Sequence, residues 1–146
     1  MSKKTGFRLF CLAAMVSILF IAQAQTEEQG WKKTLTLPSG EVVCDLNGDW
    51  DALFMGRGEN RIGGNIRDVL RITQKGESFI GIRTIGTQWY PKGSMAIEGE
   101  LDKNGFKKLI YTGWRGTFTP KGKISKDGNM IHFNESNLFD TELTRK

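Results

Sequence analysis

The chain is poor in the residue types on which many metal and catalytic sites depend. It has one histidine, His132, and two cysteines, Cys11 and Cys44, among 146 residues. A histidine-based zinc site or a serine–histidine–aspartate triad would therefore depend on His132 alone. Strand alternation places this histidine on the opposite face from Ile131 and Phe133. We expect a surface histidine, no metal or cofactor site, and no enzymatic activity.

Acidic side chains occur in two patterns that imitate functional sites. Residues 45–51 alternate acidic and amide side chains like the first half of a calcium loop. Tryptophan and glycine, however, stand where that loop needs its glycine and its closing acid. Glu98, Glu100 and Asp102 share one face of a predicted strand without a partner across a cleft, as a glycosidase would need. We interpret both patterns as solvated faces, and a hydrolase is the third of our functional hypotheses.

The first 24 residues predict a signal peptide. A positively charged start precedes an uncharged apolar run at residues 9–22, and Ala22, Gln23 and Ala24 form a small-x-small cleavage pattern. A membrane anchor is the alternative, but the run is shorter than the roughly 20 residues that a spanning helix needs. We therefore expect residues 25–146 to be exported to the periplasm or the extracellular space, without stable membrane insertion after cleavage.

Cleavage would change both the charge and the cysteine count. Lys3, Lys4 and Arg8 contribute three of the five net positive charges, so the mature chain would carry +2, with basic and acidic residues interleaved. This distribution argues against nucleic-acid binding, which needs a concentrated basic face. Cys44 would be the one remaining cysteine, which excludes an intramolecular disulfide. A buried, inert thiol and a thiol that pairs between chains are the two alternatives.

The mature sequence lacks any stretch with a sustained apolar period of 3.6 residues, which argues against helices. From Trp31 onward it consists of short alternating runs separated by glycine, asparagine, aspartate or proline, an all-β pattern. The predicted inward residues of the main strands are Trp50, Ala52, Phe54, Leu70, Ile72, Gln74, Ile80, Ile82, Met95, Ile97, Leu101, Ile131, Phe133, Phe139, Thr141 and Leu143, whereas the strand that contains Leu109 and Tyr111 carries bulky residues on both faces.

The tight turns predict an antiparallel up-and-down meander of about eight strands. Such a sheet would leave two free edges and one bare apolar face, and closure into a barrel removes both problems. We therefore predict a closed β-barrel domain at residues 45–146, preceded by an extension or hairpin at residues 25–44. A two-sheet β-sandwich is the alternative.

Gly48, Asp49 and Trp50 resemble the Gly-x-Trp motif of lipocalins and the wider calycin group. Trp50 opens the first long strand, and Arg145 lies in the last. The resemblance implies that Arg145 packs across Trp50 and closes one barrel end, a structural role for Gly48, Trp50 and Arg145. The Thr-Asp-Tyr motif and C-terminal helix of typical lipocalins are absent. The chain is therefore more similar to compact lipocalin-like domains of exported bacterial proteins.

Several aromatic residues remain after the core is assigned, and they are the candidate ligand-binding residues. Trp89 and Tyr90 lie in a predicted loop, and Trp114 and Tyr111 lie on opposite faces of one strand. Arg61 belongs to a glycine-rich loop at residues 56–65, which we place at the same barrel mouth. Aromatic side chains at a barrel mouth bind a ligand or partner, or they fill the barrel end.

These observations support two main functional hypotheses. The first is an exported lipocalin-like binding protein for a small apolar ligand, which enters at the mouth formed by these two loops. The second is a non-catalytic module for protein or envelope interaction, for example an inhibitor, which uses the same loops on its outer surface. An internal cavity would favour the first hypothesis, and a filled interior the second.

Overall fold

A computed structural model describes residues 30–58 and 65–146 of the chain. These residues form an all-β structure with antiparallel strands and without an α-helix. The strands are β1 (Thr34–Thr36), β2 (Val42–Cys44), β3 (Gly48–Gly56), β4 (Asn65–Lys75), β5 (Ser78–Arg83), β6 (Met95–Asp102), β7 (Gly105–Gly113), β8 (Gly116–Phe118), β9 (Lys121–Ile124), β10 (Met130–Glu135) and β11 (Phe139–Arg145). The predicted all-β, antiparallel architecture is confirmed.

Nine of these strands form one curled sheet in the order β8-β7-β6-β5-β4-β3-β11-β10-β9. Strands β3 to β8 are consecutive antiparallel neighbours, as the predicted meander requires. The last strand, β11, pairs with β3, where Leu143 lies opposite Ala52 and Arg145 opposite Trp50. The main strands therefore belong to a single sheet rather than to the two facing sheets of a sandwich.

The predicted closure into a barrel is wrong, because the sheet is an open half-barrel. The outermost strands β8 and β9 are separated by only two residues along the chain, but no ladder pairs them among the described residues. They are three and four residues long, and Pro120 between them has no N–H to donate. Side chains fill the gap instead, since a Cβ at Gly122 of β9 would lie 2.6 Å from Leu109 Cδ2 of β7.

The concave face of the sheet carries the core, largely as alternation predicts. Trp50, Ala52 and Phe54 of β3 are buried, as are Leu70 and Ile72 of β4. The buried residues of the remaining strands include Ile97, Leu101, Leu109, Tyr111, Ile131, Phe133, Thr141 and Leu143.

Strand β5 has the opposite orientation from the predicted one. Ile80 is 48% exposed and Ile82 only partly buried, whereas Phe79 and Arg83 are buried on the concave face together with Gly81. A Cβ at Gly81 would lie 2.6 Å from a side-chain carbon of β6. The inward row of β5 therefore has a glycine at the position where the neighbouring strand packs closely.

Strand β6 also departs from the prediction at its start. Met95 is 37% exposed, whereas Ala96 and Ile97 are both buried. The register between β5 and β6 shifts after Gly81, which interrupts the simple alternation at this point. Further along the strand, Leu101 faces the core as predicted.

A short N-terminal hairpin covers the end of the half-barrel where β3 begins. Strands β1 and β2 pair with Thr34 opposite Cys44. Trp31, Cys44 and Leu46 are buried in the main core, so Cys44 takes the buried alternative. Gln74 of β4 fixes this segment, since its side chain accepts from Leu46 N at 2.7 Å and donates to Cys44 O at 3.1 Å. This end of the half-barrel is therefore packed.

Candidate functional site

The opposite end of the half-barrel, where β3 ends and β11 begins, contains a cavity of about 290 Å³. Strands β3, β4, β7, β8 and β11 contribute to its wall, and most of its lining is aromatic or aliphatic. The described aromatic residues of the lining are Phe54, Tyr90, Tyr111, Trp114, Phe118 and Phe139. The volume is just below the roughly 300–1,000 Å³ typical of ligand pockets.

The structure brings three of the five predicted ligand-binding residues to this cavity. Tyr90 and Tyr111 are buried, with 7% and 5% exposure, while Trp114 is 57% exposed at the rim. Trp89 is 45% exposed and contacts Trp114 with the ring centroids 6.1 Å apart, but it does not line the cavity. The fifth residue, Arg61, lies outside the described residues.

Tyr111 is the centre of an aromatic cluster that forms the cavity floor. Its ring centroid lies 5.8 Å from that of Phe54, 6.3 Å from that of Phe118, 5.6 Å from that of Phe133 and 4.7 Å from that of Phe139. These residues come from five different strands, and alternation directs each to the concave face. The packed rings hold this part of the wall in a fixed shape.

The loop between β5 and β6, residues 84–94, carries Tyr90 to the cavity in a defined conformation. The Asp68 carboxylate is buried and accepts from the backbone N–H groups of Ile85 at 3.3 Å and Gly86 at 3.2 Å. Thr87 and Tyr90 exchange two backbone hydrogen bonds. Gly86 has a φ of 82°, and a Cβ there would lie 2.6 Å from a backbone nitrogen across the loop. The loop therefore needs glycine at this position.

Arg83, which the sequence analysis did not identify, lies directly behind the cavity wall. It is 1% exposed, and its guanidinium carbon lies 4.0 Å from the Tyr90 ring centroid and 5.9 Å from that of Phe54. Both rings line the cavity. Arg83 donates to Met95 O at 2.6 Å and to Thr112 O at 2.9 Å, so it also joins β5 to β6 and β7. The sequence predicted Ile80 and Ile82 to face inward, and strand alternation then placed Arg83 on the outer face.

Two tyrosine hydroxyls meet at the inner wall of the cavity. The Tyr90 and Tyr111 oxygens are 3.4 Å apart, and Trp114 N–H donates to the Tyr90 oxygen at 3.2 Å. Burial raises the pKa of Tyr111 well above its ordinary value, and the hydrogen bond with Tyr90 acts in the same direction. Burial lowers the pKa of Arg83, against the opposing influence of the two tyrosines and Asp68.

The predicted contact between Arg145 and Trp50 is present at the packed end, remote from the cavity. The Arg145 guanidinium carbon lies 4.4 Å from the Trp50 ring centroid. Trp50 is fully buried, and its indole N–H donates to Leu46 O at 2.9 Å. Gly48 has a φ of 130°, so this strand starts in a conformation that favours glycine. These residues stabilise the fold and do not line the cavity.

The remaining polar candidates lie apart from one another. The His132 side chain is 45% exposed, and its Nε2 lies 3.3 Å from the Asp140 carboxylate, which also pairs with Arg57. Glu100 pairs with Lys107 on the outer face of the sheet at 3.2 Å. Residues 30–58 and 65–146 contain no cluster of three or more metal-ligating side chains, and no helix in them could cross a membrane.

Comparison of the chain with models of protein families, with curated proteins and with solved structures gives no match. The likeness to lipocalins therefore depends on the Gly-x-Trp motif, the Arg145–Trp50 contact and the curled antiparallel sheet.

Proposed function

We propose that this chain is an exported, lipocalin-like, non-catalytic binding protein for a small apolar ligand. The observation that supports this most directly is the cavity of about 290 Å³ between the concave face of the sheet and the loop at residues 84–94. Its aromatic and aliphatic lining favours an apolar molecule, because transferring apolar surface from water into such a site is favourable.

The size of the cavity limits the ligand. A volume of 290 Å³ corresponds to roughly ten water molecules at about 30 Å³ each. This space suits a short-chain or small-ring compound better than a long-chain lipid. The opposite end of the sheet is filled by Trp50 and the N-terminal hairpin, so the ligand enters at the Trp114 rim.

The cavity wall is organised before a ligand binds. The Tyr111 ring packs against four phenylalanines, and the loop that carries Tyr90 is fixed by Asp68. A preorganised site binds with a smaller loss of conformational entropy than a mobile one. The geometry therefore favours specific binding of a molecule of matching shape.

A cavity-filling substitution tests this proposal. Ile66→Trp introduces an indole at a residue that lines the cavity, and it should abolish binding of the neutral dye N-phenyl-1-naphthylamine, measured by dye fluorescence. Ile80→Trp is the matched control, because Ile80 is 48% exposed on the outer face of β5. Equal dye binding by the wild type and both variants, or failure of the wild type to bind the dye or a panel of small apolar compounds, would refute the proposal.

A second candidate function is a protein-interaction module, which the exposed aromatic residues at the rim favour. Trp89, Trp114 and Ile85 are 45%, 57% and 64% exposed. Large exposed aromatic residues are typical of the centres of protein interfaces. Trp89 and Trp114 are therefore the aromatic residues that a partner could contact, whereas Tyr90 is buried.

Replacing both exposed tryptophans separates the two functions. In the interaction hypothesis, Trp89→Ala/Trp114→Ala loses a partner that co-purifies with the wild type, while the melting temperature stays unchanged. The outer-face variant Ile80→Ala should retain the partner. Retention by the double variant, or a wild type without any stoichiometric partner, would contradict the interaction hypothesis.

Export is a separate part of the proposal and depends on residues 1–24, which lie outside the described residues. Expression of the full chain in a bacterial host should release a product in the periplasm or medium that begins near Gln25. N-terminal sequencing and mass spectrometry measure this directly. An uncleaved chain that remains in the cytoplasm would contradict export and leave the binding proposal to be judged on its own.

A further inference from the structure

The two tyrosine hydroxyls at the inner wall of the cavity do not use all of their hydrogen-bonding capacity among the described residues. The backbone N–H of Trp114 and the hydroxyls of Tyr90 and Tyr111 supply three donor hydrogens, and two phenolic oxygens are their acceptors. One hydroxyl hydrogen is used between the tyrosines, and the Trp114 hydrogen goes to Tyr90. Whichever tyrosine donates to the other, the second hydroxyl hydrogen has no acceptor among the described residues.

The buried guanidinium behind this wall also has no carboxylate in direct contact among the described residues. It belongs to Arg83, which is 1% exposed. Its terminal nitrogens donate to Ser94 Oγ, Met95 O and Thr112 O, but its buried Nε has no hydrogen-bond partner in the part of the chain that the structure describes. Asp68 acts on Arg83 electrostatically, yet its own hydrogen bonds go to the backbone. Buried charges are normally paired.

The free hydroxyl hydrogen and the buried guanidinium both favour a ligand group that accepts hydrogen bonds and carries a negative charge. A ligand group that only accepts hydrogen bonds and carries one negative charge would accept the free hydroxyl hydrogen. It would also bring a negative charge to the Tyr90 side chain, whose ring centroid lies 4.0 Å from the guanidinium carbon of Arg83. An amine would add a positive charge beside Arg83 and bring further donors. Arg115 also lines the cavity, with its guanidinium carbon 4.5 Å from the Trp114 ring centroid, and this second positive charge likewise favours an anionic ligand.

We propose that the ligand is a small monocarboxylate with an apolar body, whose carboxylate accepts from the Tyr90–Tyr111 hydroxyl pair next to Arg83. The inference depends on the proposed binding function and names the ligand class for the same cavity. In this arrangement the phenylalanines of the floor and the Trp114 rim contact the hydrocarbon part.

Three probes that share one chain length and differ in the headgroup test which headgroup the cavity prefers. Octanoate, 1-octanol and octylamine are titrated against the wild type at pH 7 by calorimetry or by displacement of N-phenyl-1-naphthylamine. We expect octanoate to bind at least tenfold more tightly than octanol, because hydrogen bonds to a charged group are stronger than those to a neutral group. Octylamine should bind more weakly than octanol.

The variant Tyr90→Phe/Tyr111→Phe removes both hydroxyls and keeps both rings. It should bind octanoate at least tenfold more weakly than the wild type and octanol within threefold of the wild type. Phe118→Leu is the control in the apolar lining, and it should weaken octanoate and octanol by the same factor. Arg83→Lys, which keeps the charge but not the planar donor set, should also reduce the preference for octanoate if the variant remains folded.

The outcomes distinguish this inference from the function on which it depends. Equal binding of octanoate and octanol, or an undiminished preference for octanoate in the double tyrosine variant, overturns the carboxylate inference and leaves apolar binding intact. Failure of all three probes and of the dye overturns both. Preference for octanoate that is lost in the double tyrosine variant supports the inference.

Discussion

The contact between Arg145 and Trp50 allows a quantitative test of how this half-barrel is stabilised. Arg145→Met keeps an apolar stem of similar length and removes the guanidinium. This group lies over the Trp50 ring and donates to Asp45 O at 2.6 Å, Asn47 O at 3.0 Å and Gly128 O at 3.1 Å. It therefore joins the start of β3 and the turn before β10 to the last strand.

The expected loss follows from these contacts. The cation–π contact contributes about 1–2 kcal/mol when partly desolvated, and each hydrogen bond contributes about 0.5–1.5 kcal/mol net, with the exposed one to Asn47 at the low end. Arg145→Met should therefore lower the free energy of unfolding by about 3 kcal/mol. With a urea dependence of roughly 1–3 kcal/mol per M, the unfolding midpoint should fall by about 1–3 M.

The neighbouring lysine provides the control. Lys146 pairs with Asp51 at 3.5 Å, but both side chains are largely exposed, so Lys146→Met should change stability by about 0.5 kcal/mol or less. A double-mutant cycle of Arg145→Met with Trp50→Leu should give a coupling energy of about 1 kcal/mol or more. If Arg145→Met and Lys146→Met are equally stable, or if the coupling is zero, the role assigned to this contact is wrong.

Three further predictions concern backbone packing and ionisation. Gly99→Ala should destabilise the protein by about 1–3 kcal/mol in urea unfolding, because its Cβ would collide with a backbone carbonyl of β7, whereas Gly30→Ala has open space and should be neutral. Hydrogen bonds from the Ser125 hydroxyl and from the backbone and side-chain N–H groups of Asn129 lower the pKa of Asp127 to about 2. Its contribution to stability is therefore present above pH 4 and lost as pH falls towards 2, and Ser125→Ala should raise this pKa in an NMR titration. Burial raises the pKa of Cys44 to about 11 from 9.0. The unfolded thiol ionises first, so the native state should lose stability as pH rises from 9 to 11. The native thiol should also resist Ellman's reagent until urea unfolds the protein. An unshifted pKa for Asp127 in the wild type, or rapid native labelling of Cys44, would contradict these assignments.

Local sequence patterns predicted most of the fold, because apolar side chains recur at every second residue in a strand that has one face in the core and the other in solvent. The rows Trp50–Ala52–Phe54 and Ile131–Phe133 are buried as predicted, and both belong to antiparallel strands. This period placed Arg145 on the inward face of the last strand, and the resemblance to the Gly-x-Trp motif led to the prediction that it packs across Trp50. Three of the predicted site residues, Tyr90, Tyr111 and Trp114, line the cavity.

The prediction failed where neighbouring strands, rather than local hydrophobicity, decide the orientation. Two isoleucines in β5 suggested an inward row, but Gly81 faces inward because a side chain of β6 occupies the space beside it. This orientation places Ile80 outward and Arg83 inward. Arginine burial depends on acceptors such as Met95 O and Thr112 O, which come from strands distant in sequence.

The antiparallel β architecture, the position of most turns and the inward row that includes Trp50 depend on side-chain periodicity and on local backbone preferences, so they could be predicted from the amino-acid sequence. The open sheet, the cavity between Tyr111 and the Trp114 rim, and the position of Arg83 behind it became visible in the three-dimensional structure. These features depend on how far the sheet curls and on which side chains from distant parts of the sequence fill the space. Many long-range contacts contribute to that outcome, and no local sequence pattern records them.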